Sequence, residues 1–434
     1  MSSAIGPMRR ARALDTQCHE PRVKERWRDR LARRLVRRLL GRIHDGELTI
    51  LDGAERLVFG DTSALRPLRV TVRVRSPRFY TALLHGSVGL CESYMDRLWE
   101  CSDLVALTRL AALNVRSLDN LRRVLAPVLI PVQRWMRWLR RNTVGRSRRQ
   151  IAAHYDLGNE LFGLFLDPTM MYSCAIFPSP RATLEEASLA KLERVCAKLD
   201  LGPADHVLEI GTGWGGFAVY AAEHRGCRVT TTTISREQHA YATERVRAAG
   251  LEDRVTVLLE DYRDLKGSYD KLVSIEMIEA VGWQNFPTYF RRCSELLADD
   301  GAMLLQAIVI DDRAYQVEKA GKSFINTYIF PGGCLPSLEL ISRQLPRVTD
   351  LRQVHLEDIT AHYATTLALW RERFHAASEH LADLGYDERF RRLWDLYLSY
   401  CEGGFRERRI QDVQLLLAKP GYRAEPAPVV SLAA

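Results

Sequence analysis

This 434-residue sequence predicts an α/β fold, a doubly wound Rossmann-like sheet preceded by a smaller N-terminal α+β/helical domain. Three observations predict it. From about Asp205 onward, short apolar runs with β character alternate with helical stretches, the order that builds a parallel sheet. The first of these runs feeds straight into a glycine-rich turn, Gly211-Thr-Gly-Trp-Gly-Gly216. The chain is also longer than one ordinary domain, which leaves room for a second unit ahead of the sheet.

The elements follow in order. Residues 1–21 mix Ser, Gly, Pro and charge without periodicity and read as a disordered arm. Residues 22–145 read as a basic, lipid-associated domain. In it, Val23, Trp27, Leu31, Leu35 and Leu39 recur every four positions among arginines, one apolar stripe on a very basic helix. Such a helix either docks on its own domain or lies in a membrane interface. Alternating runs over 46–75 suggest a small sheet, and 76–114 reads as helical. Leu121 to Arg141 sets Trp135 and Trp138 beside Arg134, Arg137, Arg140 and Arg141, a mixture suited to a headgroup boundary or to a solvated basic face.

Residues 146–420 read as the catalytic domain and 421–434 as a flexible tail. Its strands are expected at His206–Ile210, Arg228–Thr233, Val255–Leu259, Lys271–Ile275 and Ala302–Ile310. The stretch from Pro331 to Arg409 is expected to be largely helical, with Asp412–Ala418 as a closing strand.

Charge is unevenly spread. Residues 1–43 and 116–150 each carry +9, which leaves −10 for the remainder of a chain whose total is +8. An acidic body with two basic patches points to a polyanionic surface, and neither patch shows a base-reading motif, so an anionic membrane is favoured over nucleic acid. No apolar run reaches the roughly 18–20 residues of a spanning helix. No signal peptide is evident, and nine cysteines lie scattered without metal spacing, so a reduced cytoplasmic setting with no metal is expected.

In the glycine turn, the backbone must bend tightly and approach a ligand, while the following helix offers free N–H groups. Gly211, Gly213 and Gly215 are candidate cofactor contacts, with a dinucleotide as the competing ligand. The spacing and the acid Glu209 just ahead of it favour S-adenosylmethionine, whose methionine ammonium a carboxylate can meet. The second strand ends at Thr233 without a ribose-gripping acid, so Thr233, Ser235 and Gln238 are candidate neutral partners. Asp261 and Tyr262 follow the third strand, where an adenine edge and face would lie.

Together with Glu92-Ser-Tyr-Met-Asp96, His154-Tyr-Asp-Leu-Gly-Asn159, Met171-Tyr-Ser-Cys-Ala175, Tyr328-Ile-Phe-Pro-Gly-Gly-Cys-Leu-Pro-Ser337 and Tyr400-Cys-Glu-Gly-Gly-Phe-Arg406, these residues resemble the cyclopropane-fatty-acyl-phospholipid synthase family from about residue 46 to 418. The resemblance implies S-adenosylmethionine as methyl donor and the cis double bond of a phospholipid acyl chain as acceptor. It adds Tyr172 and Ser173 to the cofactor contacts and has His154 and Asp156 order a lid. It also implies an enzyme bound peripherally at the inner face of the membrane; a homodimer is left open.

An alkene attacking a sulfonium methyl becomes a carbocation, and closing a ring requires a base near the transferred methyl. The resemblance implies bound bicarbonate as that base, held by Cys174, Glu279 and Tyr363. The family's fourth ligand, a His, is replaced by Gln306, which donates and accepts hydrogen bonds but does not titrate. Glu276 is a second acid three residues before Glu279, set aside because the motif match selects Glu279. Cys401 sits in another family motif and reads as structural or near-substrate, without a nucleophilic role. Gln306 also opens a different outcome, a methylene-branched chain formed after a hydride shift. A small-molecule N-methyltransferase, or a membrane-binding protein with a retired core, are the remaining alternatives.

Overall fold

The structure, a computed structural model, describes residues 26–61, 68–114 and 158–423. The helix Trp27–Leu40 is followed by strands β1 (Gly46–Asp52), β2 (Glu55–Asp61), β3 (Arg69–Val74) and β4 (Trp99–Cys101), which form a sheet in the order β2-β1-β3-β4. The β1–β2 hairpin turns through Gly53, whose φ of +62° a side chain would disfavour. Helices Arg78–Leu83 and Gly86–Met95 precede β4, and a further helix covers 104–114. β4 interrupts the stretch read as helical; three residues are too short for a period of two to show.

The first helix packs on its domain by a face other than its apolar stripe. It docks through Ala32, Val36 and the buried Asp29, which accepts from Thr81 Oγ1 at 2.7 Å. Arg33 and Arg37 pair with Asp52 and Glu55 at the hairpin turn. The apolar stripe faces solvent instead, with Trp27 64%, Leu31 59% and Leu35 47% exposed. Periodicity alone ranked the larger side chains first, whereas small residues and ion pairs allow the closer approach to the sheet. Val23, the segment Leu121 to Arg141, and His154 and Asp156 lie outside the described residues.

The second sheet holds β5 (His206–Ile210), β6 (Arg228–Thr233), β7 (Val255–Leu259), β8 (Tyr269–Ile275), β9 (Leu297–Ile310), β10 (Arg352–Asp358) and β11 (Ile410–Ala418). Their order is β10-β11-β9-β8-β5-β6-β7. β5 to β9 run parallel, while β11 is antiparallel to both β9 and β10. The chain leaves β5 toward β6 on one side and reaches β8 on the other, so the end of β5 is the switch point where open α/β sheets bind ligands. β8 and β9 begin earlier than read, and β10 falls in a stretch read as helical. β10 is an edge strand, exposed along most of its length, and its alternation is confined to Val354 and Leu356, both exposed, too short a period to mark a strand.

The helix Glu388–Arg406 joins the two parts. Arg392 lies 3.8 Å over the Tyr94 ring and donates to Tyr94 O at 2.6 Å. Thr108 Oγ1 donates to Ser399 O at 2.9 Å, and Arg109 pairs with Glu407 at 2.6 Å. Gly403 allows this approach, because a Cβ there would meet Thr108 Oγ1 at 2.1 Å. Gly403→Ala is therefore expected to destabilise the chain by about 1–3 kcal/mol, an overpacking cost. A fall in the urea midpoint with unchanged slope checks this; an unaltered midpoint would show that the contact is soft.

Candidate active site at the ends of β5, β8 and β9

At the end of β5 the chain enters Gly211 (φ +107°), Gly213 (+53°) and Gly215 (+82°) before the helix Gly216–Arg225. Gly213 has nothing within 4 Å of a built Cβ, whereas Gly211 would meet Met277 at 3.1 Å and Gly215 would meet Ala242 at 3.2 Å. The turn is therefore packed against the protein at its two outer glycines and open at Gly213. Trp214 Nε1 ties it to Asn159 Oδ1 at 2.7 Å.

Glu209 is buried beneath this turn, where Thr231 Oγ1 donates to it at 2.6 Å. Burial pushes its carboxyl up to about 8, opposed by the Thr231 hydrogen bond and the charge of Lys191. A buried acid short of positive charge beside an open glycine turn fits a ligand with a cationic amino-acid end. S-adenosylmethionine thus fits the residues present.

The other predicted cofactor contacts surround the same turn. Thr233 Oγ1 donates to Gln238 Oε1 at 2.8 Å, and the Gln238 N–H donates to Ser235 Oγ at 3.3 Å, so the three knit the end of β6 together. Asp261 meets Arg263 through both oxygens, at 2.8 and 2.7 Å. The Tyr262 hydroxyl is buried without a hydrogen-bond partner. Tyr172 shares a 2.8 Å hydrogen bond with Tyr397 and stacks on Trp370 at 5.2 Å. Ser173 accepts from the buried Lys191 Nζ at 2.6 Å.

Beside this region lies a polar cluster centred on Glu276, not Glu279. Glu276 follows β8 with φ +48°, a left-handed conformation costing a non-glycine residue on the order of 1–3 kcal/mol. Its N–H donates to Gln306 O at 2.8 Å. Its Oε1 accepts from the Cys174 backbone N–H at 2.8 Å and from Gln306 Nε2 at 2.8 Å, and its Oε2 accepts from Tyr363 OH at 2.6 Å. Tyr363 is stacked on Phe405 at 4.3 Å, so the Tyr400–Arg406 motif sets the phenol's position.

Gln306 is the sole polar residue of the run Ala302–Val309 and is wholly buried. Its Oε1 accepts from Gln414 Nε2 at 3.0 Å, which turns its amide toward Glu276 and, at 3.3 Å, Asp412 Oδ2. Asp412, also wholly buried, is held well above the usual carboxylate range by burial and then by the charge of Glu276. Burial, with Asp412 and Glu276, likewise pushes the Cys174 thiol well up; the thiol faces Asp412, and the backbone N–H meets Glu276.

Two expectations are corrected. Glu279 lies beside the cluster without sharing its hydrogen bonds: its Oε1 accepts from the Ile308 N–H at 2.6 Å, and its Oε2 is buried without a partner. Burial, then Glu276, pushes it up to about 8. Bicarbonate does not fit beside Cys174, Gln306 and Tyr363, because the donors it needs are taken by the Glu276 carboxylate. Cys401 lies away from these hydrogen bonds, its thiol pushed up to about 12 by burial.

Sequence reasoning missed Lys191, Asp412 and Gln414. A lysine inside the apolar face of the helix Leu184–Leu199, and two polar residues spaced by two at the start of β11, were the signals available.

The model of the family described as mycolic acid cyclopropane synthetase matches residues 143–415. Cyclopropane-fatty-acyl-phospholipid synthase of Escherichia coli strain K12 is 40% identical over 356 residues, covering 80% of this chain and 87% of its own. Tuberculostearic acid methyltransferase UfaA1 of Mycobacterium tuberculosis is 39% identical over 389 residues, covering 84% and 88%. Among solved structures, the cyclopropane synthase MmaA2 of Mycobacterium tuberculosis is 32% identical with a TM-score of 0.58, covering 63% of this chain and 98% of its own. The mycolic acid cyclopropane synthase CmaA1, solved with SAH and CTAB, is 31% identical with a TM-score of 0.59 over the same shares. With the switch-point glycine turn, the buried acid beneath it and these likenesses in agreement, the chain belongs to the mycolic acid cyclopropane synthetase family and is an S-adenosylmethionine-dependent methyltransferase acting in lipid methylation.

Proposed function

We propose that this enzyme transfers the methyl group of S-adenosylmethionine to a cis double bond in an acyl chain of a membrane phospholipid, then removes a proton from that methyl to close a cyclopropane ring. The observation that carries the reading is the half-buried Glu276 carboxylate and its three donors set beside the cofactor turn, where Met277 packs on Gly211. S-adenosylmethionine supplies the electrophilic methyl. The protein's part is to bind it over Glu209 and the glycine turn, to surround the cation with Phe405, Tyr397 and Tyr363, and to provide a proton acceptor. A methylene-branched product is the second reading. It is favoured by the filled bicarbonate position, which departs from what the resemblance to cyclopropane synthases implies, and by the likeness to the tuberculostearic acid methyltransferase.

The same reading places the enzyme on the cytoplasmic face of an anionic bilayer. No helix of the described residues is long and apolar enough to cross a membrane. The exposed Trp27, Leu31 and Leu35 are flanked by the exposed Arg28, Arg30, Arg34 and Arg38, with Arg28 5.5 Å over the Trp27 ring. Apolar side chains edged by arginines suit a headgroup boundary.

Three outcomes follow. With S-adenosylmethionine and monounsaturated phospholipid vesicles, proton NMR of the acyl chains is expected to show upfield cyclopropane signals; vinylidene signals would move the reading to the branched product, and an unmodified lipid would refute it. In calorimetry, binding a cationic cofactor end restores ionisation to Glu209. Affinity should therefore rise with pH toward about 8, and about one proton should be released per site below that pH; Glu209→Gln should bind more weakly and release none. Replacing Trp27 and Leu31 by Glu should weaken sedimentation with anionic vesicles at least about tenfold and leave cofactor binding unchanged; equal sedimentation would exclude this face.

A further inference from the structure

The catalytic cluster contains four acids, and their surroundings differ. Asp412 has no exposed surface, and Gln306 and Cys174 are sealed with it. Glu209 lies below the cofactor turn, and Glu279 is committed to the Ile308 N–H. Glu276 alone combines partial exposure with three aligned donors, from the Cys174 N–H, the Gln306 amide and the Tyr363 hydroxyl. Its backbone is held at φ +48°, a strained conformation of the kind that gathers at functional sites. The next residue, Met277, packs against Gly211 of the cofactor turn, so the carboxylate stands one peptide from the place where the methyl donor binds.

We propose that the Glu276 carboxylate is itself the general base of this enzyme, standing in the position and on the donors that bicarbonate would otherwise use. This rests on the proposed alkene methylation. When the S–CH3 bond breaks, S-adenosylhomocysteine leaves and the former alkene carries the positive charge. A C–H bond of the new methyl then breaks. Its electron pair forms the last carbon–carbon bond of the ring, or a methylene double bond after a hydride shift, and the proton passes to Glu276.

The groups facing Glu276 prepare it for this. Burial, and then the charge of Glu276, hold the Asp412 carboxyl well above the usual carboxylate range, and the buried Lys191 lies within reach of the Glu276 carboxylate's charge. Gln306 suits a protein-borne base: it donates to Glu276 while its carbonyl is occupied by Gln414, and it offers no competing proton. Tyr363, its phenol raised well above its ordinary value by burial, stays a donor.

The test uses the full chain, Glu276→Gln, Glu276→Ala, and two readouts. In carbon-dioxide-free buffer the wild type is expected to methylate vesicle lipid at an unchanged rate, and Glu276→Gln to lose on the order of 10²–10⁴-fold in kcat, the worth of a general base, with cofactor affinity unaltered. Added bicarbonate should restore part of the activity of Glu276→Ala, and chloride at equal ionic strength should not. Independently of turnover, 13C-bicarbonate NMR titration should show saturable binding to Glu276→Ala and none to the wild type. Saturable binding to the wild type, a wild-type rate that collapses without bicarbonate, or a fully active Glu276→Gln would each overturn the proposal. A wild type that methylates no lipid would defeat the function proposed above, while the 13C titration would still decide whether Glu276 fills the bicarbonate position.

Discussion

A carboxylate that leaves bulk water must find donors, and the catalytic half of this protein is arranged around satisfying one at Glu276. Its partners come from four places: the loop before the helix Leu184–Leu199 supplies the Cys174 N–H, β9 supplies Gln306, the helix Thr360–Ala376 supplies Tyr363, and β11 supplies Asp412 and Gln414 behind them. Each unmet donor or acceptor in such a place costs about 1–3 kcal/mol, so the set is held jointly or not at all. The antiparallel insertion of β11 beside β9 puts Gln414 directly opposite Gln306 in register, which fixes the amide's direction.

The family motifs acquire physical meaning in this frame. The Met171–Ala175 segment presents backbone donors, with Cys174 to Glu276 and Ala175 to Thr366 Oγ1 at 3.2 Å. The Tyr400–Arg406 motif has structural work at several of its positions. Glu402 is buried between Arg371 and Arg406, Gly403 admits the helix 104–114, and Phe405 backs Tyr363. Through that helix the N-terminal sheet is packed onto the same element that positions the phenol, so the basic half and the reacting half are mechanically continuous.

Replacement of the family His by Gln306 looks from the sequence like the loss of a titrating group. In three dimensions its amide is hydrogen-bonded to the acid at 276, at 2.8 Å. A His there would bring its own proton equilibrium against a carboxylate; an amide brings only a donor. Acid and amide together make a compact unit that needs no small anion between them.

The parallel strands, the glycine turn, the acid beneath it and the cofactor class were legible in the sequence, because periodicity, glycine spacing and charge order are local and the residues concerned lie close along the chain. β10 was not, because an edge strand exposed on most of its length needs few apolar residues, and its two, Val354 and Leu356, make too short a period to read. Nor was the docking face of the first helix, where Ala32, Val36 and two arginine pairs outweighed a longer apolar stripe. The choice between Glu276 and Glu279 belonged to the tertiary structure alone. Both acids sit in one seven-residue motif, and what separates them is a left-handed backbone at 276 and donors 87 and 102 residues away in sequence, contacts that no local pattern encodes.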